Sequence, residues 1–390
     1  MKIIYFLTHH PFYSETFIAE EIAQLNATKH TVVVCNLTFE QENQKNVNYK
    51  ILNNTKNIGL LLQAIAQQAL HGSSLFFSLS FWNAVIQSAL KNPAFAFKYA
   101  FMLLSADYML VQARKENADL VVNHFLFKST LAGSFIAQKM GVPNHIRLHT
   151  KRYLYSDTVL KKILKEAFKL SAIAVDVKRF YEEKIEHSRS IDVIRQSVDV
   201  AFLSNMYQPK VEKAMFTILA IGRLTKKKGF DQLILAVSKL ERTTKKKLQL
   251  KIYGEGSEKQ YLSELIEKYK LHDYITLEGK KPHKELMVSL SNSSLLVVPS
   301  IELQDDIDGI PTVIIEAMLM KVTVVAYDTA SISEIVIPNE TGFLVPSNDV
   351  EALTQKLEQL IADESDLAIV KENAYQKVLK EYASTLANDI

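Results

Sequence analysis

The sequence predicts an α/β protein made of two parallel-sheet domains. Three observations carry this reading. Short apolar runs, the mark of strands buried on both faces, alternate with longer stretches of helical periodicity. The alternation lapses in a polar segment over residues 200–213 and restarts with FTILAIGRL. A chain of 390 residues is also longer than one hydrophobic core usually organises.

In the first half, Lys2–Leu7 reads as a buried strand, followed by a loop and an amphipathic helix in THHPFYSETFIAEEIAQL. Ser14 or Thr16 can cap that helix or, alternatively, contact an acceptor or a phosphate; Glu20 and Glu21 suit its dipole. Thr31–Leu37 is the second strand, and 38–57 is polar and irregular. Residues 58–110 are apolar and aromatic, with no uninterrupted run of the roughly 18 residues a membrane span requires. Two or three packed helices are expected there, either filling a core or offering a face to a lipid-linked acceptor or a membrane surface.

ADLVVNHF forms a strand ending at Asn123 and His124, and a helix runs from about Ser129 to Met140. NHIRLHT is the next strand, carrying Arg147 and His149 near its carboxyl end. A lysine-rich helix face (Lys161, Lys162, Lys165, Lys169), the strand AIAVDV, a helix from Lys178 and the strand IDVIRQSV complete this half.

The second half opens with strand, Gly-Arg loop, lysine-rich turn and helix in FTILAIGRLTKKKGFDQLILAV. LQLKIYGEGSEKQYLSELI runs from a strand through Gly254 and Gly256, which let the backbone approach a ligand at a helix N-terminus. YITLEGKKPHKELMVSLSNS gives a strand, a turn at Gly279 to Pro282, and a helix. In VVPSIELQDDIDGIPTVIIE a strand ends at Pro299, an acidic loop holds Asp305, Asp306 and Asp308, and a helix follows Pro311. The strand VTVVAYDT, a turn at Asn339–Gly342 and charged amphipathic helices close the chain.

Composition bounds the partners. Hydrophobic content of 48% and charged content of 23% are those of an ordinary globular chain. A formal net charge of +3 is too small to mark a nucleic-acid partner. The single cysteine, Cys35, lies in an apolar run and reads as a core thiol, with neither a disulfide framework nor zinc spacing. MKIIYFLTHH reads as an immediate strand rather than a signal peptide, which makes the cytoplasm the expected location.

The motifs IGRLTKKKG, YGEGS and DGIPTVIIEAM, in this order, resemble the retaining glycosyltransferases of family 4, which have the GT-B fold: two Rossmann-like domains facing a central cleft. SETFI after the first strand and the acidic loop running into GIP resemble in particular the bacterial enzymes of exopolysaccharide, capsule and lipopolysaccharide assembly. The resemblance covers nearly all of the second half and pieces of the first. It implies domains at 1–200 (acceptor side, with a helical insertion over about 58–110) and 214–370 (nucleotide sugar), with 371–390 crossing back to the first.

The same resemblance implies roles for single residues. Arg223 and Lys228 clamp the donor diphosphate, a role that suits them chemically, because a departing nucleoside diphosphate gains negative charge. Lys226 and Lys227 are read as a solvated turn. Asp308 stands where the family has a glutamate facing the donor sugar, one methylene shorter, and Glu316 binds the ribose. Gly254, Gly256, Lys281, Gly309, Ile310 and Pro311 complete the nucleotide-sugar site. His149 is the catalytic candidate of the first domain, with a structural histidine as the alternative, and Ser14, Glu15, Thr16 and His124 lie on the acceptor side. A nucleotide-sugar donor is expected, a UDP-sugar ahead of a GDP-sugar, with no cofactor and no Asp-x-Asp metal site. The acceptor is a glycan or a lipid-linked glycan, and the enzyme sits in the cytoplasm or peripherally on the inner face of the cytoplasmic membrane. Two rival readings are a sugar-nucleotide epimerase of the same shape and a catalytically silent subunit that positions a partner enzyme.

Overall fold

A computed structural model describes residues 1–7, 16–37, 49–91, 93, 96–196, 198–206, 215–245, 248–303, 309–329, 331–363 and 367–383. The chain forms two compact units, which divide between Ile194 and Arg195.

In chain order the first unit contains β1 (Lys2–Leu7), α1 (Thr16–Asn26), β2 (Thr31–Asn36), β3 (Lys50–Asn53), α2 (Ile58–Leu70), α3 (Leu79–Lys91), α4 (Ala96–Arg114), β4 (Leu120–His124), α5 (Lys128–Met140), β5 (Asn144–Leu148), α6 (Asp157–Glu166), β6 (Lys169–Ala172), α7 (Val175–Lys184) and β7 (Asp192–Val193). Its strands form one parallel sheet in the order β3-β2-β1-β4-β5-β6-β7. The direction of winding reverses between β1 and β4, and ligands of open α/β sheets bind beyond the strand ends at such a point. Cys35 is buried in β2, as its apolar neighbours require.

The apolar stretch folds as three helices. α2 and α3 pack on α4, which in turn packs on α5. The buried Asp107 of α4 ties the α2–α3 connection down: it accepts hydrogen bonds from Ser74 Oγ (2.6 Å) and from the backbone N–H groups of Leu75 (2.7 Å) and Phe76 (3.0 Å). Phe81 is fully buried with its ring centroid 5.0 Å from that of Phe135, whereas Phe77 is 67% exposed. Phe81→Ala should therefore cost about 3–5 kcal/mol in denaturant unfolding, and Phe77→Ala less than about 0.5 kcal/mol. Among the described residues no helix is long and apolar enough to cross a membrane.

The second unit contains α8 (Val200–Met206), β8 (Phe216–Ile221), α9 (Phe230–Lys239), α10 (Arg242–Lys245), β9 (Leu248–Tyr253), α11 (Lys259–Lys268), β10 (Ile275–Gly279), α12 (His283–Ser291), β11 (Leu295–Val298), α13 (Thr312–Leu319), β12 (Thr323–Asp328), β13 (Phe343–Pro346), α14 (Val350–Ala362) and α15 (Leu367–Glu381). The parallel order is β10-β9-β8-β11-β12-β13, so the winding reverses between β8 and β11. One apolar cluster, from Phe216 through Ile252 and Val297 to Leu357 and Val370, fills the space between sheet and helices. α15 packs on α13 and β12.

Several elements differ from the sequence expectations. β3 lies in the stretch read as irregular; it is a short, partly exposed edge strand with no apolar run to announce it. The strand after α6 is KLSA rather than AIAVDV, so Lys169 starts β6, in register with His145, and does not share the helix face of Lys161, Lys162 and Lys165. The apolar face of α6 ends with Ile163 and Leu164, and the exposed Phe168 donates its N–H to Asn144 O (2.9 Å), which starts the strand there. The apolar residues that follow Ala172 belong partly to α7, which starts at Val175 rather than Lys178. The segment read as linker begins with α8, because the Asp199 carboxylate accepts from Phe202 N (2.7 Å) and nucleates a turn.

Candidate active site

In the second unit the loops at the carboxyl ends of β8, β9 and β10 are stitched together by their backbones. Gly222 N donates to Tyr253 O (3.0 Å), Leu224 N to Glu255 O (2.9 Å), Glu258 N to Leu224 O (2.9 Å) and Gly254 N to Gly279 O (2.9 Å). Gly254 and Gly256 have φ of 149° and 159°, and a Cβ on either would fall 1.8 Å from Gly222 O or 2.3 Å from Leu224 O. These glycines permit a close approach to the Gly-Arg loop, which they clamp in shape. The turn after β8 docks on the end of β11, where Ile301 N donates to Lys227 O (2.8 Å).

Arg223 and Lys228 leave this framework beside the switch between β8 and β11. Arg223 is exposed, and Lys228 is half-buried, its Cδ and Cε lying 3.6 Å from where a Cβ on Gly222 would stand. Lys226 is bonded to Asp231 (2.6 Å). Lys227, expected to be solvated, is buried, because the docking of its turn on β11 draws it inward. Lys281, half-buried, lies in the turn that Gly279 keys to the Gly254 loop.

Gly309 and Ile310 are buried after β11, and Pro311 is the N-cap of α13. Glu316 is the only charged residue of that helix and is 6% exposed. Its Oε1 lies 2.8 Å from His283 Nε2, and this hydrogen bond raises the imidazole pKa above its ordinary value. The ring of Phe202 stacks on His283 with centroids 5.7 Å apart and planes at 16°. Asp305, Asp306 and Asp308 lie outside the described residues.

The first unit gathers a different set at the ends of β4 and β5. His124 Nδ1 and His149 Nε2 are 2.9 Å apart, with the rings stacked at 27° and both side chains buried. Burial, then neighbouring positive charge, holds both imidazoles well below their usual pKa and keeps them neutral. Glu21 of α1 is 2.5 Å from Arg147 Nη1, accepts from Tyr5 Oη, and lies 3.7 Å from His124 Nε2. Of His124 Nδ1 and His149 Nε2, one donates to the other, so the tautomers of the two rings are coupled. Among the described residues, His124 Nε2 and His149 Nδ1 both lack a hydrogen-bond partner. Phe17 and Phe125 pack on His149 at 5.0 and 4.5 Å. Phe125 has φ of 62°, a conformation a bulky side chain rarely adopts, and it occurs directly beside His124. Ser14, Glu15 and the side chain of Thr16 lie outside the described residues.

The predicted residues therefore fall into two groups, each organised within its own unit. Sequence reasoning passed over Glu21, taken as a dipole partner, and also Tyr5, Phe125 and His283. Glu21 carried a usable signal: with Ile18, Ile22 and Leu25 it occupies one face of α1, and a carboxylate on a core-facing stripe requires a buried partner.

Residues 205–377 match the Glycosyl transferases group 1 family. The Escherichia coli (strain K12) protein WcaL, named for colanic acid biosynthesis, is 34% identical over 205 residues, which are 51% of this chain and 49% of WcaL. The chain thus spans about half the length of this relative. The amylovoran biosynthesis glycosyltransferase AmsK of Erwinia amylovora is 25% identical over 280 residues, 69% of this chain and 68% of that protein. Among solved structures, Anabaena Alr3699/HepE in complex with UDP and glucose superposes with a TM-score of 0.73 at 17% identity, covering 100% of this chain and 98% of that one. At that identity the likeness establishes the GT-B fold.

Proposed function

We propose that the protein, whose second unit belongs to the Glycosyl transferases group 1 family, is a retaining glycosyltransferase. It moves a sugar from a nucleoside-diphosphate sugar to a glycan or lipid-linked acceptor in bacterial surface-polysaccharide synthesis. The observation that carries this reading is the backbone-stitched loop system, which sets Arg223 and Lys228 at the switch between β8 and β11, with Glu316 on the helix that follows β11. A leaving nucleoside diphosphate gains charge as the glycosidic bond breaks. A guanidinium fork and an ammonium carried on that framework stabilise that charge without a divalent ion. Glu316 receives the ribose hydroxyls, and Asp308 faces the sugar. On the first unit the neutral His149 is the catalytic candidate of the acceptor side. UDP is the nucleotide favoured, in keeping with its presence in the HepE complex. Retention proceeds by same-face attack through an oxocarbenium-like state or by double displacement.

The enzyme works at the cytoplasmic face of a membrane, reached through α2 and α3. Ile58, Leu70, Leu79 and Leu90 are exposed on these helices, and the sequence holds no Asp or Glu between Asn43 and Ala106, which suits anionic lipid. Purified protein mixed with UDP- and GDP-sugars should release nucleoside diphosphate and should sediment with anionic vesicles at low salt. Failure to bind or cleave any nucleotide sugar overturns the enzymatic reading, and failure to sediment overturns only the membrane site.

A further inference from the structure

We propose that His283 is a positioning residue of the nucleotide site, holding the Glu316 carboxylate in the orientation from which its second oxygen accepts ribose hydroxyls. The inference rests on reading Glu316 as the ribose ligand.

Glu316 sits among the buried residues Ile314, Ile315, Ala317 and Met318, where an unpartnered carboxylate would be costly. Its partner comes from another element, the first residue of α12. That helix starts four residues after Gly279, whose carbonyl accepts from Gly254 N, so the position of His283 is keyed to the loops that carry Arg223 and Lys228. Phe202, on the capped helix α8, fixes the plane of the imidazole by stacking on it, and α8, α12 and α13 pack against one another. The ring is thus held from two directions and, among the described residues, donates to Oε1. A carboxylate offers about four acceptor positions, so Oε2 keeps room for the vicinal hydroxyls of a ribose. The groups around the imidazole are Glu316 from α13 and Phe202 from α8, with Lys281, Lys284 and Glu285 flanking it in sequence. The hydrogen bond to Glu316 raises the affinity of His283 for a proton, and protonation strengthens the pair.

Two substitutions separate this role from packing. His283→Phe keeps the stack on Phe202 and removes the donor, whereas His283→Gln loses the ring and keeps a donor. With UDP as the probe in calorimetry on the full chain, His283→Phe should bind about tenfold more weakly, the scale of one charge-assisted hydrogen bond. His283→Gln should stay within about threefold of wild type on the same reasoning. KM for the nucleotide sugar should follow these changes while kcat stays nearly constant. The affinity difference between wild type and His283→Gln should also shrink as pH rises through the titration of the imidazole, the ligand's own titration being common to both. Equal losses in the two variants, or a larger loss in His283→Gln, would assign the ring to packing and overturn the proposal. If His283→Phe does not fold, Glu316→Gln with His283→Phe carries no unpaired carboxylate and should bind UDP as Glu316→Gln does; a further loss in the double variant overturns it equally. Wild-type protein that binds neither UDP nor GDP would overturn the nucleotide site itself, an outcome distinct from any of these.

Discussion

Arg223→Ala and Lys228→Ala are each expected to lower turnover by about two orders of magnitude or more, the scale of removing one fixed electrostatic stabiliser from a transition state. The fold should survive both, because the backbone holds the loop. The loop shape comes from backbone bonds between Gly222, Leu224, Tyr253 and Glu255 and from the glycines that permit that contact. Lys226→Ala is the matched control: its ammonium is taken by Asp231, and the substitution should leave turnover near wild type. Single-turnover sugar transfer together with thermal melts would check all three. Near-wild-type turnover in Arg223→Ala and Lys228→Ala would remove the diphosphate clamp from the mechanism.

In the first unit a large stability effect is expected at Arg147. Arg147→Leu leaves the Glu21 carboxylate buried beside the neutral His124 imidazole with its cation removed, and should cost about 3–5 kcal/mol. Replacing both partners, Glu21→Leu with Arg147→Met, removes the uncompensated charge and should cost much less than the single change. Denaturant unfolding at neutral pH measures both. The same site makes the unit acid-sensitive. His124 and His149 have depressed folded-state affinities, so the unfolded chain binds protons that the folded one refuses. Stability is therefore full above the unfolded imidazole value of about 6.5 and falls as pH drops below it. A double variant with as large a loss as Arg147→Leu alone would mean that the cost at this site is packing rather than charge.

How far the sequence reached depended on whether a residue's role is set by its neighbours along the chain. Buried strands such as LVVNH and LLVV were readable because parallel strands covered on both faces must be continuously apolar. The order Gly-Arg…Lys, Gly-x-Gly and GIP…Glu was readable because each piece combines a strand end, a backbone requirement and a charge within a few residues. Where the signal was weak, boundaries moved. KILN has no apolar run, KLSA is shorter than the apolar stretch beside it, and α8 rests on a single capping carboxylate.

By itself, then, the sequence determined the two-sheet α/β plan, its reversal into a second half, and the cations and glycines of the loops after β8 and β9. Only the tertiary structure decided how charges separated along the chain are paired. It joins Glu21 to Arg147, 126 positions away, and to His124; it joins Glu316 to His283; and it divides three consecutive lysines into one bonded to Asp231, one buried and one lying against Gly222. The physical reason is that apolar burial is non-directional and follows from pattern, whereas desolvating a charge is tolerable only against a particular partner at hydrogen-bond distance. Which strand ends and helix faces supply that partner is fixed by the winding of the sheet, not by spacing in the chain.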